Sequence, residues 1–187
     1  LTFSLVIIIG LLSWLLPIMA VIIKLDSKGP VFFIQKRNGL KYKKFNCYKF
    51  RSMELNDNSD VELASKNDLR ITKVGKFIRK TSMDELPQFF NVFFGEMSIV
   101  GPRPHMVSVA NIYAAKVDKF MVRHFVKPGI TGLAQTKGHR GEVETDEDII
   151  NRVKYDIFYI ENWSVLLDIK IIFITVFNTL RGDKKAY

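Results

Sequence analysis

With a single cysteine, Cys47, the sequence excludes an internal disulfide and suits a reducing compartment. Cys47 is read as a packed or surface thiol. Three histidines, His105, His124 and His139, are too scattered along the chain to read as a metal set, which leaves them surface or packing roles. There is no internal repeat and no low-complexity tract, so a solenoid or a linker-rich array is excluded. Between Lys24 and Lys80 there is no zinc-ligand pair and no helix-turn-helix pattern, so no nucleic acid is expected as a partner. The most informative absence is charge: none occurs before Lys24.

That uncharged run, residues 1–23, would rise about 35 Å as a straight helix, against a hydrocarbon core of about 30 Å. It reads as a membrane segment. It is longer than the apolar core of a signal peptide and has no small-residue cleavage site before Lys24. The sequence begins at Leu1, not at methionine, so a further N-terminal region is expected upstream. The remaining residues, 24–187, suffice for one domain with a core of its own.

Charge is unevenly placed. From Lys24 to Lys80 there are 15 Lys and Arg against 6 Asp and Glu, a net +9, and the rest of the chain balances at 13 against 13. Basic residues just after a membrane segment place that side in the cytoplasm and favour an anionic lipid surface.

Pro17 lies inside the apolar run, removes a backbone donor and collides with the carbonyl of Ser13. A bend over Ser13 to Pro17 follows, and geometry permits either a kinked crossing or a re-entrant hairpin. Downstream, Val31 to Gln35 reads as a strand, Asn38-Gly39 as a hairpin signal and "KFNCYKF" as the returning strand. "ELNDNSDVELASKNDLR" reads as a polar surface loop. Val107 to Phe125 has helical spacing, "KPGITGLAQTKGHRGE" is a Gly-rich loop, and Asp146 to Asn162 is a helix with acids at its start. Ser164 to Leu180 is an apolar helix that carries Asp168 and Lys170, which suits an interfacial position better than a second span. Trp14 and Trp163 suit the interface too. The fold class expected is α+β, mostly helical, with a small β-hairpin.

"TSMDELPQFFNVFFGEMSIVGPRP" holds the candidate chemistry. Thr81 or Ser82 is expected to cap a helix whose first turn contains Asp84, Glu85 and Pro87, positions that favour acids and tolerate proline. Asp84, Gln88 and Asn91 would share a face, with phenylalanines over most of the rest. Acids at a helix start are often no more than caps. Here Arg79-Lys80 precede them, and Pro102-Arg103-Pro104 follows, holding an arginine stiffly. A fixed guanidinium grips phosphate with paired hydrogen bonds. One carboxylate can attack phosphorus while its neighbour holds Mg²⁺. Phosphoryl transfer at a lipid surface is the chemistry this pattern suggests.

The motifs "KLDSKGPVFFIQKRNG", "YKFRSM", "TSMDELPQFFNVFFGEMSIVGPRP", "KPGITGLAQ" and "YDIFYIENWS" resemble the bacterial sugar transferases, the monotopic phosphoglycosyl transferases that begin capsule, exopolysaccharide and O-antigen assembly. The resemblance runs from about residue 10 to the end. It implies a re-entrant N-terminal helix on the bacterial cytoplasmic membrane, the active site on the cytoplasmic face, and upstream membrane helices. It implies transfer of a sugar-1-phosphate from a UDP-sugar to undecaprenyl phosphate with release of UMP. Asp84 would be the nucleophile and Glu85 would help hold Mg²⁺. Arg79 and Arg103 would hold phosphate groups, and Lys49 and Arg51 would support the phosphate or the lipid head. The tail from "HRGEVETDEDI" to "YIENWS" looks like that of hexose-1-phosphate transferases, favouring glucose or galactose. One departure is that the helix-breaking Ser-Pro pair of the family is here Ser13-Trp14 with proline only at Pro17. Competing readings are a docking module without chemistry and a lipid phosphatase with water as acceptor. Exposed apolar helices could serve lipid or a second protomer, as in a homodimer.

Overall fold

The computed structural model describes residues 2–56, 65, 68–141, 143 and 145–181. The chain is helical from Thr2 to Asp26: α1 (Thr2–Ile7), a π-helical turn (Ile8–Leu12) and α2 (Ser13–Asp26). In place of the bend expected over Ser13 to Pro17, the helix is continuous and its irregularity is the π turn one turn earlier. Pro17 stays within α2, and the ladder widens ahead of it, with the Ser13 N–H donating to the Ile8 carbonyl. A π turn takes up the donor lost at a proline without breaking the helix. The Ser13 hydroxyl donates to the Ile9 carbonyl and the Trp14 indole to that of Gly10, at 2.9 Å, which satisfies acceptors in the widened turn. The helix is long and apolar enough to cross a membrane.

Most of its surface faces outward, and Leu15, Met19 and Ile23 form the buried stripe. These pack on Phe50 and Ile78. Each such side chain contributes roughly 1.5–3 kcal/mol when fully buried. The basic segment that follows forms the antiparallel hairpin β1 (Phe32–Asn38) and β2 (Lys44–Phe50), as the strand runs on either side of Asn38-Gly39 implied. Its connection is a five-residue loop from Gly39 to Lys43, with Lys41 and Tyr42 left-handed, so the Asn38-Gly39 signal marks where the turn begins. The polar loop expected over residues 54–70 lies largely outside the described residues.

α3 (Lys73–Lys80) is capped by Thr72, whose hydroxyl accepts from the Gly75 N–H at 2.9 Å. A short α4 (Gln88–Phe93) leads to β3 (Ser98–Val100). The helix expected from Val107 to Phe125 divides in two. α5 (Val107–Lys116) ends where Val117 adopts an extended backbone, Lys119 is left-handed, and a 3₁₀ turn (Phe120–Phe125) carries on the inward spacing. β4 (Gly129–Thr131) then pairs in parallel with β3, a bridge too short to show in the sequence.

The Gly-rich segment expected as a loop holds β4 and, after it, the short helix α6 (Leu133–Thr136). α7 (Asp146–Glu161) carries a full capping box between Thr145 and Asp148. In α8 (Val165–Arg181) only Ile171 is buried, while Leu166, Phe173, Phe177 and Leu180 point outward. Asp168 belongs to the inner side, accepting from the Tyr159 hydroxyl at 2.8 Å and the Trp163 indole at 3.2 Å, which explains an acid in so apolar a helix.

Candidate active site

The acid pair does not open a helix. Thr81 ends α3, its hydroxyl donating back to the Phe77 carbonyl at 2.9 Å, and so is not available as an N-cap. Ser82 reverses the chain in a left-handed conformation, φ 58°, and makes no capping bond. Asp84 and Glu85 occupy a 3₁₀ turn (Met83–Glu85), and Pro87 precedes α4. The polarity of α4 is also reversed from expectation. Asp84, Glu85, Gln88 and Asn91 are buried, whereas Phe93 and Phe94 are 41% and 63% exposed. Asn91 is fully buried because it stitches α4 to the hairpin: its amide donates to the Asn46 carbonyl and to Glu96, both at 2.7 Å, and accepts from the Tyr48 N–H at 3.0 Å.

Basic side chains converge on the pair from four directions. Lys49 of β2 donates to Glu85 Oε1 at 2.9 Å. Arg103 grips both oxygens of Glu85, through Nη1 to Oε2 at 3.2 Å and through Nη2 to Oε1. Arg140 donates to the Ser82 hydroxyl at 2.7 Å. Arg79 of α3 reaches the Ser52 hydroxyl at 3.4 Å and adds its charge near Asp84. Arg51, by contrast, turns away from the acids to the end of α2, where it donates to the carbonyls of Lys28 and of Ser27, the latter at 2.7 Å.

The two carboxyls titrate in opposite directions. Burial pushes Asp84 up, opposed by Lys49 and reinforced by Glu85. Burial also works against the charge of Glu85, but Arg103 and Lys49 outweigh it and hold that carboxyl well below the usual range. Asp84 carries no hydrogen bond or ion pair among the described residues, and it is 7% exposed. A buried carboxyl without a partner is costly and uncommon outside functional sites.

Arg103 is held from behind. Arg37 of β1 donates to the Pro104 carbonyl, and Arg123 donates to the Arg103 carbonyl at 2.8 Å. Arg123 is itself fixed by a buried pair with Asp156, 2.8 Å away. Glycine permits the crossing of backbones beneath this loop: a Cβ at Gly129 would lie 2.2 Å from the Gly101 nitrogen, and one at Gly132 would lie 2.3 Å from the Gly101 oxygen.

Beside the acids an open cleft of about 540 Å³, its solvent mouth included, runs from Ser82, Glu85 and Arg140 to the inner face of α8. Sequence reading marked the Gly-rich loop but missed Arg140, which is turned inward between the left-handed Gly138 and Gly141. It also missed Arg37 and Arg123, whose guanidiniums act on backbone carbonyls that no motif displays. Among the described residues no group of three or more His, Cys, Asp or Glu could hold a metal. Mg²⁺ characteristically takes one or two carboxylates and completes its shell with water and substrate phosphates; Asp84 has free oxygens, whereas those of Glu85 are taken by Lys49 and Arg103, so Glu85 would hold the ion only in exchange for these contacts. The histidines pack instead: His105 against Tyr113 and Phe120, His124 against Tyr42, and His139 against Tyr155.

A family model described as bacterial sugar transferase matches residues 1–182. The chain belongs to the bacterial sugar transferase family. It is 55% identical over 178 residues to the UDP-glucose:undecaprenyl-phosphate glucose-1-phosphate transferase of Klebsiella pneumoniae, covering 95% of this chain and 38% of that protein. The protein of the same name in Escherichia coli K12 is 52% identical over the same shares. The UDP-N-acetylgalactosamine-undecaprenyl-phosphate N-acetylgalactosaminephosphotransferase of Aeromonas hydrophila is 44% identical, over 95% of this chain and 42% of its own length. The chain thus spans about two fifths of these curated relatives. The acid pair lies within the matched region.

Proposed function

We propose that this sugar transferase moves a hexose-1-phosphate from a UDP-sugar to undecaprenyl phosphate, releasing UMP, in two displacements at Asp84. The observation that carries this reading is the buried, unpartnered Asp84 carboxyl beside a Glu85 locked by two basic side chains. In the first displacement an Asp84 oxygen attacks the β-phosphorus, forming a carboxyl–phosphorus bond as the bond from that phosphorus to the bridging oxygen breaks. UMP departs with the bridging oxygen. In the second, an oxygen of undecaprenyl phosphate attacks the same phosphorus and frees the Asp84 carboxylate. Splitting the transfer lets one small site serve a water-soluble donor and a bilayer-held acceptor in turn.

Arg103 and Arg79 bind and orient phosphate oxygens, and Lys49 supports them. Glu85 holds Arg103 and Lys49 in place and is the residue that would exchange these contacts for Mg²⁺, an ion that supplies neutralisation of diphosphate charge. Docking without chemistry would leave a buried, unpaired acid without purpose. The matched relatives' names, most of them glucose transferases, favour glucose as the sugar. The helix Thr2–Asp26 and the outward apolar face of α8 fit work at the cytoplasmic membrane, with the basic hairpin on the cytoplasmic side.

The test is UMP release from a panel of UDP-sugars in lipid-embedded protein, with and without undecaprenyl phosphate and Mg²⁺. One donor should give UMP, with turnover requiring the lipid, and chelation should abolish it until Mg²⁺ is restored. Asp84→Asn should lower the rate by more than a thousandfold. Activity persisting in that variant would place the nucleophile elsewhere.

A further inference from the structure

The open cleft beside the acids changes character along its length. One end is charged, at Glu85 and Arg140; the other is neutral and rich in hydroxyl and amide groups from Gln135, Thr136, Thr175, Asn178 and Thr179. Leu86 and Phe89 supply an apolar wall. Most of the hydroxyls are already engaged: Thr131 and Thr175 share a hydrogen bond of 2.6 Å, Thr175 donates to the Ile171 carbonyl, and Thr179 donates to that of Thr175 at 2.9 Å. Two amides are not. Gln135 Oε1 is buried without a hydrogen-bond partner, and Asn178 makes no side-chain hydrogen bond among the described residues. These belong to different elements, α6 and α8, yet line one space. A buried acceptor left unsatisfied on a residue that lines a polar cleft calls for a partner, which a bound polar ligand reached by side-chain rotation would supply.

We infer that the neutral end of this cleft is the site of the transferred hexose, with Gln135 and Asn178 reading its hydroxyls and thereby setting sugar preference. This rests on the phosphoglycosyl-transfer reading above. The class of ligand follows from the lining and from connectivity. In a nucleotide sugar the hexose is attached directly to the phosphorus that Asp84 would attack, whereas the uracil lies beyond the α-phosphate and the ribose. The cleft begins at Ser82 and Glu85, which flank Asp84 in sequence, so the group that enters it is the one nearest the reacting phosphorus. Neutral amides and hydroxyls suit a polyhydroxylated ring, and a site built to hydrogen-bond hydroxyls discriminates strongly between donors that present them differently. A polyprenyl tail, by contrast, would leave the Gln135 acceptor unsatisfied.

The experiment measures binding of UDP-glucose, UDP-galactose, UDP-N-acetylglucosamine and UDP to the protein in lipid discs, on an Asp84→Asn background that prevents turnover. Gln135→Leu and Asn178→Leu keep the side-chain volume and remove the amide. The parent should bind one UDP-sugar at least fivefold more tightly than UDP, and each variant should lose that advantage while its Kd for UDP changes less than twofold. Variants that weaken UDP and UDP-sugars equally would assign the cleft to the nucleotide or the diphosphate and overturn the inference. Unchanged affinities throughout, or a parent that binds no UDP-sugar better than UDP, would overturn it as well. If the sugar-dependent advantage is seen and lost as expected while protein with Asp84 intact releases no UMP, the cleft assignment stands and the proposed transfer reaction falls.

Discussion

Asp84 and Glu85 are neighbours in sequence with opposite electrostatic surroundings. The raised pKa of Asp84 has a direct consequence, because only its ionised form can attack phosphorus and that form is populated above the pKa. The acid limb of the rate of UMP release should therefore lie above the ordinary aspartate value of 3.8, and a pH profile of single-turnover UMP formation checks this. Glu85 runs the other way. Its carboxyl is depressed, so its stabilisation is present above the ordinary value of 4.5 and is lost as pH falls toward its folded value. Glu85→Gln should cost about 2 kcal/mol, below the roughly 3–5 kcal/mol of fully buried pairs because Lys49 and Arg103 retain some solvent contact. Denaturant unfolding should show the gap from the parent protein narrowing below pH 4.5. At this scale the sequence was informative where residue type and spacing carry chemistry, as at the acids and Arg103. It was silent on Arg140 and on the left-handed Ser82, since a lone arginine among glycines and a positive φ leave no periodic trace.

Elements matter here chiefly through crossings. The hairpin, α7 and the apolar N-terminal helix were legible because strand runs flanking Asn38-Gly39, acids at a helix start and an uncharged run are local signals. The parallel bridge of β3 with β4 was not, because each strand has three residues and their pairing is decided by contacts far apart in sequence. That bridge carries the Pro-Arg-Pro loop. Gly129→Ala, with its Cβ 2.2 Å from the Gly101 nitrogen, should force the strands apart, lowering the thermal midpoint and abolishing UMP release together. Asn91→Leu tests the other crossing. It takes the side-chain partner from the part-buried Tyr48 N–H and Asn46 carbonyl, and denaturant unfolding should report a loss of roughly 1–3 kcal/mol. Val107 to Phe125 misled for a related reason: the 3₁₀ turn keeps Phe120 pointing inward after α5 has ended, so apolar spacing outlasts the helix.

For the molecule as a whole, the distribution of polarity is turned outward. Apolar side chains such as Phe3, Ile9 and Val21 of the first helix, Phe94 after α4, and Phe173 and Leu180 of α8 are exposed, while Asp84, Glu85, Gln88, Asn91 and Arg123 are buried. Extensive apolar exposure on this scale marks a surface made for lipid or for another protein. A bilayer location predicts that the protein stays with vesicles of anionic lipid through a high-salt wash and is released by detergent, as vesicle flotation would report. The central claim, however, is covalent transfer at Asp84, and intact-protein mass after incubation with a UDP-sugar in the absence of undecaprenyl phosphate tests it most directly. The account predicts a gain equal to one hexose phosphate, removed by adding undecaprenyl phosphate and absent from Asp84→Asn. UMP release with no such adduct on rapidly quenched protein, or an adduct that persists in Asp84→Asn, would contradict it.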